Sequence, residues 1–133
     1  MSTTGLDARS TTAQFFMATA VMEAGAGLAL LVTPTIAIAL LLPGPVASTH
    51  VALGRLAGAA LLSLGAACWW ARADAGSPTS RALVVGMSVY NAAVIAVVLT
   101  GSFGSPSRPV LWVVTLVHAA MAAWCVSLLR SGR

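Results

Sequence analysis

The chain contains no lysine and few charged residues of either sign. Charged residues make up 8% of its 133 residues, and they consist of seven arginines and three acidic residues, for a formal net charge of +4. A soluble domain carries about a quarter charged residues, so this composition excludes an ordinary soluble domain. The arginines are scattered rather than clustered. That distribution argues against a nucleic-acid-binding patch, and we expect no nucleic-acid partner.

Cysteine and histidine are also scarce. Cys68 and Cys125 are far apart in sequence and lack C-x-x-C spacing, so no metal site is predicted. We interpret both cysteines as small packing residues. His50 and His118 lie at levels roughly 15 Å apart along the predicted helices, which is too far for both to ligate one haem. The sequence does not show whether the protein binds a cofactor, so none is assigned.

Long apolar runs account for most of the chain. It is 59% hydrophobic, with a mean hydropathy of +0.94. Four runs cover about residues 13–33, 51–71, 82–100 and 110–129, each close to the ~20 residues that cross ~30 Å of hydrocarbon. In lipid, a helix satisfies its own backbone hydrogen bonds. We therefore predict an all-α integral membrane four-helix bundle that forms a single domain over residues 1–133.

Clusters of glycine, proline and serine separate the runs, at residues 34–45, 72–81 and 101–109. The first run is too long for a signal-peptide core and is predicted to be a retained span. The segment Thr35–Leu42 follows it and is bracketed by Pro34 and Pro43. It either extends the first helix beyond a kink or forms a short segment along the outer membrane interface. We favour the interfacial segment, because about 30 continuous helical residues would overshoot the bilayer.

The arginines also predict the orientation of the bundle. If both termini share one side of the membrane, Arg108 is the one arginine of the opposite loops. The side of the termini then carries the larger set, Arg9, Arg72, Arg81, Arg130 and Arg133. Arginine-rich loops stay in the cytoplasm. Both termini are therefore predicted to be cytoplasmic.

Glu23 is the one acidic residue inside the apolar runs. Counting 1.5 Å per residue from the cytoplasmic ends places Glu23, Asn91 and His118 at roughly 14 to 16 Å, close to the membrane midplane. Arg55 lies about 9 Å higher on the second helix, a distance that a long side chain partly bridges. Ionisable residues inside a membrane are costly and usually face the bundle interior. These side chains therefore predict a polar cluster at the midplane.

This predicted cluster has two interpretations. It is a site that binds a small ligand or carries protons, with Glu23 and His118 as protonatable groups and with Tyr90 and Asn91 orienting a ligand or water. Alternatively, it is a structural network that fixes the helices in register. Arg55 completes the set of candidate residues. The sequence contains no recognised catalytic motif, so no catalytic residue is assigned.

Small residues are spaced along the first two apolar runs. Gly54 and Gly58 form a G-x-x-x-G pattern and Gly65 continues it, while Gly25 and Gly27 occupy the first run. Such residues allow helix backbones to approach closely. We interpret the pattern as tight packing within one chain rather than as a dimerisation motif.

Two families resemble parts of this sequence. The order of a first helix ending near proline, a short segment and the run Gly54–Gly65, followed by Trp69-Trp70-Ala-Arg72 and Tyr90-Asn91, resembles DoxX-like small four-helix membrane proteins of bacteria. That resemblance implies a four-helix fold and a location in the bacterial cytoplasmic membrane, and it supplies no catalytic residue. The context Ala20-Val-Met-Glu23-Ala-Gly25 is similar to the first helix of small multidrug resistance transporters, although their tryptophan and glycine pattern is missing elsewhere.

Three functions remain open from the sequence. The first is an accessory or small-ligand-binding membrane subunit, which is the interpretation we favour. The second is a proton-coupled small-molecule transporter that uses Glu23. The third is a membrane enzyme acting on a lipid-soluble substrate, with Glu23 and His118 as acid and base. The expected partners are the lipid bilayer and either a second copy of the chain or a larger membrane complex.

Overall fold

A computed structural model describes residues 3–100 and 108–131, with side chains from residue 9 onward. The described residues are helical throughout apart from short connections. Four long helices and one short helix follow in the order α1 (Thr3–Val32), α2 (Pro34–Leu41), α3 (Ser48–Ala71), α4 (Pro78–Leu99) and α5 (Pro109–Ser131). A single 3₁₀ turn, Arg72–Asp74, follows α3. The predicted all-α architecture is thus confirmed, while most of the predicted hinge at 101–109 lies outside the described residues.

The helix starts follow local chain chemistry. Pro78 and Pro109 occupy the first positions of α4 and α5, where a missing N–H costs nothing. Ser77 caps α4, because its hydroxyl oxygen accepts a hydrogen bond of 3.0 Å from the Ser80 amide. At the start of α3, the Ala47 amide donates to Nδ1 of the exposed His50 over 3.2 Å.

The segment after α1 forms a separate helix. Thr33 leaves the helical conformation with φ −126° and ψ 53°, and Pro34 then opens α2. Ile38 of α2 packs onto Gly54 of α3, where an added Cβ would lie 2.7 Å from the isoleucine Cδ1. The break in the helix predicted near Pro34 is therefore confirmed. The location of this segment along the membrane surface stays a prediction.

Arg108 holds the end of α2. Its Nη1 donates to the carbonyl oxygens of Ala39 and Leu40, at 2.6 and 3.2 Å. These carbonyls belong to the last turn of a helix, where backbone acceptors are unsatisfied and a cation is favoured. The arginine therefore fastens α2 to the start of α5.

The closest helix contact is between α1 and α3. A Cβ built on Gly27 would lie 2.7 Å from the Gly58 carbonyl oxygen, and one on Gly58 would lie 2.8 Å from that of Gly27. Gly65 meets Ala24 in the same way, at 3.0 Å from its amide nitrogen. The two backbones touch because no side chain separates them. The interpretation as packing residues within one chain agrees with this geometry for Gly27, Gly58 and Gly65. It is wrong for Gly25, which is exposed and has nothing within 4 Å of an added Cβ.

The second pair of helices is α4 and α5, and both pairs enclose an apolar core. That core lies toward the end of the bundle that holds residues near both termini and the turn at Arg72–Asp74, hereafter the terminal end. Phe15 contacts the Trp124 ring edge-on, with centroids 5.6 Å apart. The fully or nearly fully buried members of the core are Phe15, Phe16, Ala20, Cys68, Val84, Met87, Met121 and Cys125.

The outward surfaces of the long helices are apolar. Val21, Leu56 and Leu116 are 69%, 69% and 67% exposed, whereas the polar side chains of Glu23 and Asn91 are buried. A helix that is hydrophobic all round is typical of a protein core or a membrane span. Four of the described helices are long and apolar enough to cross a membrane. This pattern is consistent with a multi-pass membrane protein.

Candidate functional site

Glu23 lies about two-thirds of the way along α1 and points into the bundle. Its side chain is 5% exposed, and its Oε2 accepts a hydrogen bond of 3.1 Å from the Tyr90 hydroxyl of α4. The inward position follows from the packing of α1, since Phe16, Ala20 and Gly27 on neighbouring turns are also buried. The partner of the carboxyl group is thus a neutral phenol rather than an arginine.

Asn91 and His118 form a second hydrogen-bonded pair, between α4 and α5. The Asn91 Nδ2 donates to the Met87 carbonyl oxygen at 2.7 Å. A carbonyl can only accept, so this bond fixes the orientation of the amide and turns its Oδ1 toward His118. The distance from Oδ1 to the His118 Nδ1 is 2.8 Å.

This geometry also sets the tautomer of His118. The Asn91 Oδ1 cannot donate a hydrogen bond, so Nδ1 of the imidazole must carry the proton that joins them. In the neutral ring, Nε2 is then the acceptor. Nε2 is therefore the nitrogen with a lone pair that can accept a proton, while Nδ1 anchors the ring to α4.

Tyr90 connects the two pairs. It is half-buried, and its ring meets that of His118 edge-on, with centroids 5.6 Å apart and planes at 78°. Glu23, Tyr90, Asn91 and His118 thus form one group of side chains from α1, α4 and α5, hereafter the polar cluster. Within it, Glu23 and His118 are joined through Tyr90 and not by a hydrogen bond of their own. The carboxyl group and the imidazole therefore both contact Tyr90, one at its hydroxyl and the other at its ring, and they do not form an acid–base pair in direct contact.

Thr19 adjoins the polar cluster and did not emerge from the sequence. It is 1% exposed, and its hydroxyl has no hydrogen-bond partner in the described part of the chain. A helical threonine usually bonds the carbonyl one turn back, as Thr115 does with Leu111 at 2.8 Å. Its position one turn before Glu23 is the signal that could have identified it, since residues four apart share a helix face.

Arg55 and His50 lie outside the polar cluster. Both are exposed on α3. Gly54 and Gly58 on either side of Arg55 face α2 and α1, and each residue turns a helix by about 100°. The arginine side chain consequently leaves the helix in another direction. The structure thus brings together four of the five candidate residues and leaves Arg55 at the surface.

The core closes the polar cluster on the side of the terminal end. Met87 and Met121 lie one turn from Asn91 and His118 in that direction and are 1% and 7% exposed. Cys68 and Cys125 are free thiols in the same core, both fully buried, as expected of packing residues. In the described ranges, no three His, Cys, Asp or Glu side chains converge in a way that could hold a metal ion.

An apolar groove runs along the outside of α1 and α3. It has a volume of about 360 Å³ and is lined by small and aromatic side chains, among them Ala20, Ala24, Gly65, Trp69 and Trp70. Glu23 does not line it. The carboxyl group is thus enclosed by helices rather than open to this groove.

Comparison with known proteins gives no match, since no protein-family profile, curated protein or solved structure matches this chain. The function must therefore be argued from the site itself.

Proposed function

We propose that this protein spans the bacterial cytoplasmic membrane four times, with its terminal end in the cytoplasm. Three features support the proposal: the four apolar helices, the apolar outward surfaces and the burial of the polar side chains of Glu23 and Asn91. The arginines near the termini and in the turn after α3 favour a cytoplasmic terminal end. Arg72 adds to this, because its guanidinium stacks 3.5 Å from the ring centroid of Trp69, a pairing suited to a membrane interface.

The native cysteines make the orientation testable. Because Cys68 and Cys125 are fully buried, cysteines introduced at the exposed positions Asp74→Cys and Thr49→Cys would dominate labelling by a membrane-impermeant maleimide. In intact cells, Thr49→Cys should be labelled at once, and Asp74→Cys only after permeabilisation. The reverse order would overturn the proposed orientation.

The proposal includes membership of the DoxX-like small membrane proteins. It is supported by the order of elements, in which α1 ends at a proline, a short α2 follows, and a glycine-bearing α3 packs back onto α1. In this proposal the protein contacts the lipid bilayer. It also associates either with a second copy of the chain or with a larger membrane complex. Molecular mass measured in nanodiscs would separate a monomer from these assemblies.

For the function, we propose an accessory membrane subunit that binds a small lipid-soluble ligand at the polar cluster. The observation that carries this proposal is the buried Thr19 hydroxyl without a partner, one turn from a carboxyl group bonded by Tyr90 alone among the described residues. A buried hydroxyl without a hydrogen bond is costly, and buried polar groups in proteins are nearly always paired. A ligand that accepts a hydrogen bond from Thr19 would give this hydroxyl the partner that it lacks among the described residues.

The chemistry of the cluster favours a ligand with carbonyl oxygens. Thr19 offers a hydroxyl donor, and Glu23 adds a second donor when it is protonated. The surrounding core is apolar. A quinone combines two carbonyl acceptors with an apolar ring, so it is the probe of choice.

Decylubiquinone added to the purified protein in micelles provides the test. Quenching of tryptophan fluorescence should saturate for the wild type, and Thr19→Val should weaken binding about fivefold, the equivalent of one hydrogen bond. Thr115→Val is the matched control, because its hydroxyl already bonds its own helix. Equal affinities of wild type and Thr19→Val, or unsaturable quenching, would refute this site.

Proton-coupled transport is the second candidate. The observation that favours it is the buried carboxyl group of Glu23, which accepts a hydrogen bond from the Tyr90 hydroxyl, with His118 packed against the tyrosine ring. In proteoliposomes with a pH-sensitive dye inside and a potassium diffusion potential, the wild type should then take up protons. Glu23→Gln should abolish uptake while keeping an oxygen that accepts from Tyr90. Uptake that persists in this variant would remove Glu23 from any transport mechanism.

A further inference from the structure

The apolar groove on α1 and α3 is separate from the polar cluster. Its volume is about 360 Å³, and neither Thr19 nor Glu23 lines it. None of the described residues that line it is charged. Small residues create the groove, because Ala20 and Gly65 are buried there and Ala66 adds only a methyl group. An apolar chain can therefore lie close to the helix backbones at this position.

Larger side chains border the groove. Val21 of α1 is 69% exposed and Trp70 of α3 is 75% exposed. Trp69 and Trp70 belong to the last turn of α3, so they lie toward the terminal end. Along α3 the lining runs from Leu62 to Trp70, which is about 12 Å at a rise of 1.5 Å per residue. One leaflet of a bilayer contributes about 15 Å of hydrocarbon. The groove thus has the length of an acyl chain in a single leaflet.

A cation adjoins the groove at the terminal end. The Arg72 Cζ lies 3.5 Å from the ring centroid of Trp69, and its Nη1 donates to the Trp69 carbonyl oxygen. These contacts hold the guanidinium group beside the tryptophan. Asp74, the next acidic residue along the chain, is exposed and takes no part in them. A guanidinium has five N–H donors, so Arg72 retains donors for a further partner.

We propose that the groove binds one acyl chain of a phospholipid and that Arg72 contacts the phosphate group of the same molecule. Arginine matches phosphate oxygens in both geometry and charge, and basic side chains beside the ends of membrane helices attract lipid head groups. The apolar groove and the cation at its end thus fit the two parts of one lipid. The proposal rests on the proposed membrane location, which cysteine labelling tests separately, and it does not depend on quinone binding.

Native mass spectrometry of the purified protein in micelles tests the contact with phosphate. Phosphatidylglycerol should form an adduct about fivefold more tightly than a diacylglycerol with the same acyl chains, the equivalent of one arginine contact. Arg72→Gln should remove this preference. Arg72→Lys keeps the charge and should retain most of it. Equal loss in the two variants would overturn the contact with phosphate.

Arg130→Gln is the matched control for charge. It removes an arginine from an exposed position at the same end of the bundle, away from the groove. Its preference for phosphatidylglycerol should equal that of the wild type. A loss as large as that in Arg72→Gln would show general attraction to anionic lipid and overturn the site.

Ala66→Leu tests the groove. Ala66 is exposed and lines the groove, so a leucine would fill part of it without entering the core. Both lipid adducts should weaken about threefold, because the acyl chain loses packing contacts. Ala67→Leu is the matched control, since Ala67 is also exposed but does not line the groove. Equal weakening in the two variants would overturn the groove as the site. A protein dimer that Ala66→Leu dissociates would assign the groove to a second copy of the chain and overturn the assignment to lipid.

Discussion

Helix α1 has two interfaces that are built on different principles. Toward α3 it presents glycine, and the two backbones touch at Gly27 and Gly58. Toward α4 it presents Glu23, whose carboxyl group meets the Tyr90 hydroxyl. One interface depends on the absence of side chains and the other on a hydrogen bond between two long ones.

The difference follows from what holds helices together in lipid. Apolar side chains gain little by leaving lipid for another apolar surface, so association depends on close packing and on polar contacts. Close packing between α1 and α3 fails as soon as a backbone is pushed away. A hydrogen bond between side chains tolerates small shifts, because rotamers adjust. We therefore expect the glycine interface to carry more of the stability and the polar interface to carry the function.

The largest effect is expected from Gly27→Ala. Its Cβ would lie 2.7 Å from the Gly58 carbonyl oxygen and 2.8 Å from the Leu62 amide nitrogen, both backbone atoms that cannot rotate away. The helices must separate, at a cost of about 2 to 3 kcal/mol in the free energy of unfolding. Denaturation by SDS titrated into mild detergent micelles measures this change.

Gly25→Ala serves as the control for that experiment. It makes the same substitution two residues earlier on α1, where nothing lies within 4 Å of the added Cβ. Stability should stay constant or rise by about 0.5 to 1 kcal/mol, since alanine is the better helix former. If both variants lose the same stability, helix propensity or the micelle determines the result, and the close contact with α3 does not.

A smaller effect is expected from Asn91→Leu, which tests the polar interface between α4 and α5. The substitution removes the acceptor of the His118 Nδ1 proton in a position that is 1% exposed. We expect a loss of about 1 to 2 kcal/mol by the same SDS titration. Ala92→Leu, on the exposed side of the same helix, should have no effect. A loss in Asn91→Leu as large as that in Gly27→Ala would contradict the proposed ranking of the interfaces.

The sequence predicted the number of long helices and most of their ends, but the apolar run alone did not show where α1 begins. The predicted run begins near residue 13, whereas the helix begins at Thr3. Hydropathy detects the apolar part of a helix and misses the polar turns that precede it. The starts of α4 and α5 could have been predicted from the sequence, because proline is typical of the first helical position, which Pro78 and Pro109 occupy.

For the polar cluster, the sequence predicted the depth of each side chain in the membrane. It did not predict the direction in which each side chain leaves its helix. Counting residues brought Glu23, Asn91 and His118 to one level, and the structure joins them through Tyr90. The same counting could not show that Arg55 leaves its helix elsewhere, because the face of α3 that meets α1 depends on packing. Gly54 and Gly58 could have identified the packed face of α3, since glycines lie where a helix approaches its neighbour most closely.

Two hydroxyl groups near Glu23 differ in that, among the described residues, one is paired and the other is not. Tyr90→Phe deletes the donor to Glu23 and should cost about 0.6 to 1 kcal/mol, the usual value of a hydrogen bond between membrane helices. Thr19→Val deletes a hydroxyl that has no partner in the described residues. It should leave stability unchanged or raise it, because a buried unpaired hydroxyl is unfavourable. Thermal unfolding in micelles measures both.

The sign of the Thr19→Val effect decides how the threonine is interpreted. A stabilised variant that no longer binds the quinone probe would show that the hydroxyl is kept for binding at the expense of stability. A destabilised variant would mean that Thr19 has a structural partner in solution. The matched Thr115→Val should instead lose a small amount of stability, because its hydroxyl donates to Leu111.

The smallest effect is expected from Gly54→Ala, although Gly54 and Gly58 belong to one G-x-x-x-G pattern. The added Cβ of Gly54→Ala would meet Cδ1 of Ile38 at 2.7 Å, the far end of a flexible side chain on the short helix α2. A shifted rotamer costs about 0.5 to 1.5 kcal/mol, and alanine returns about 0.5 to 1 kcal/mol of helix propensity, so the terms nearly cancel. Gly58→Ala instead meets the Gly27 carbonyl at 2.8 Å and should cost about as much as Gly27→Ala. Equal losses in the two variants would mean that α2 is packed as rigidly against α3 as α1 is.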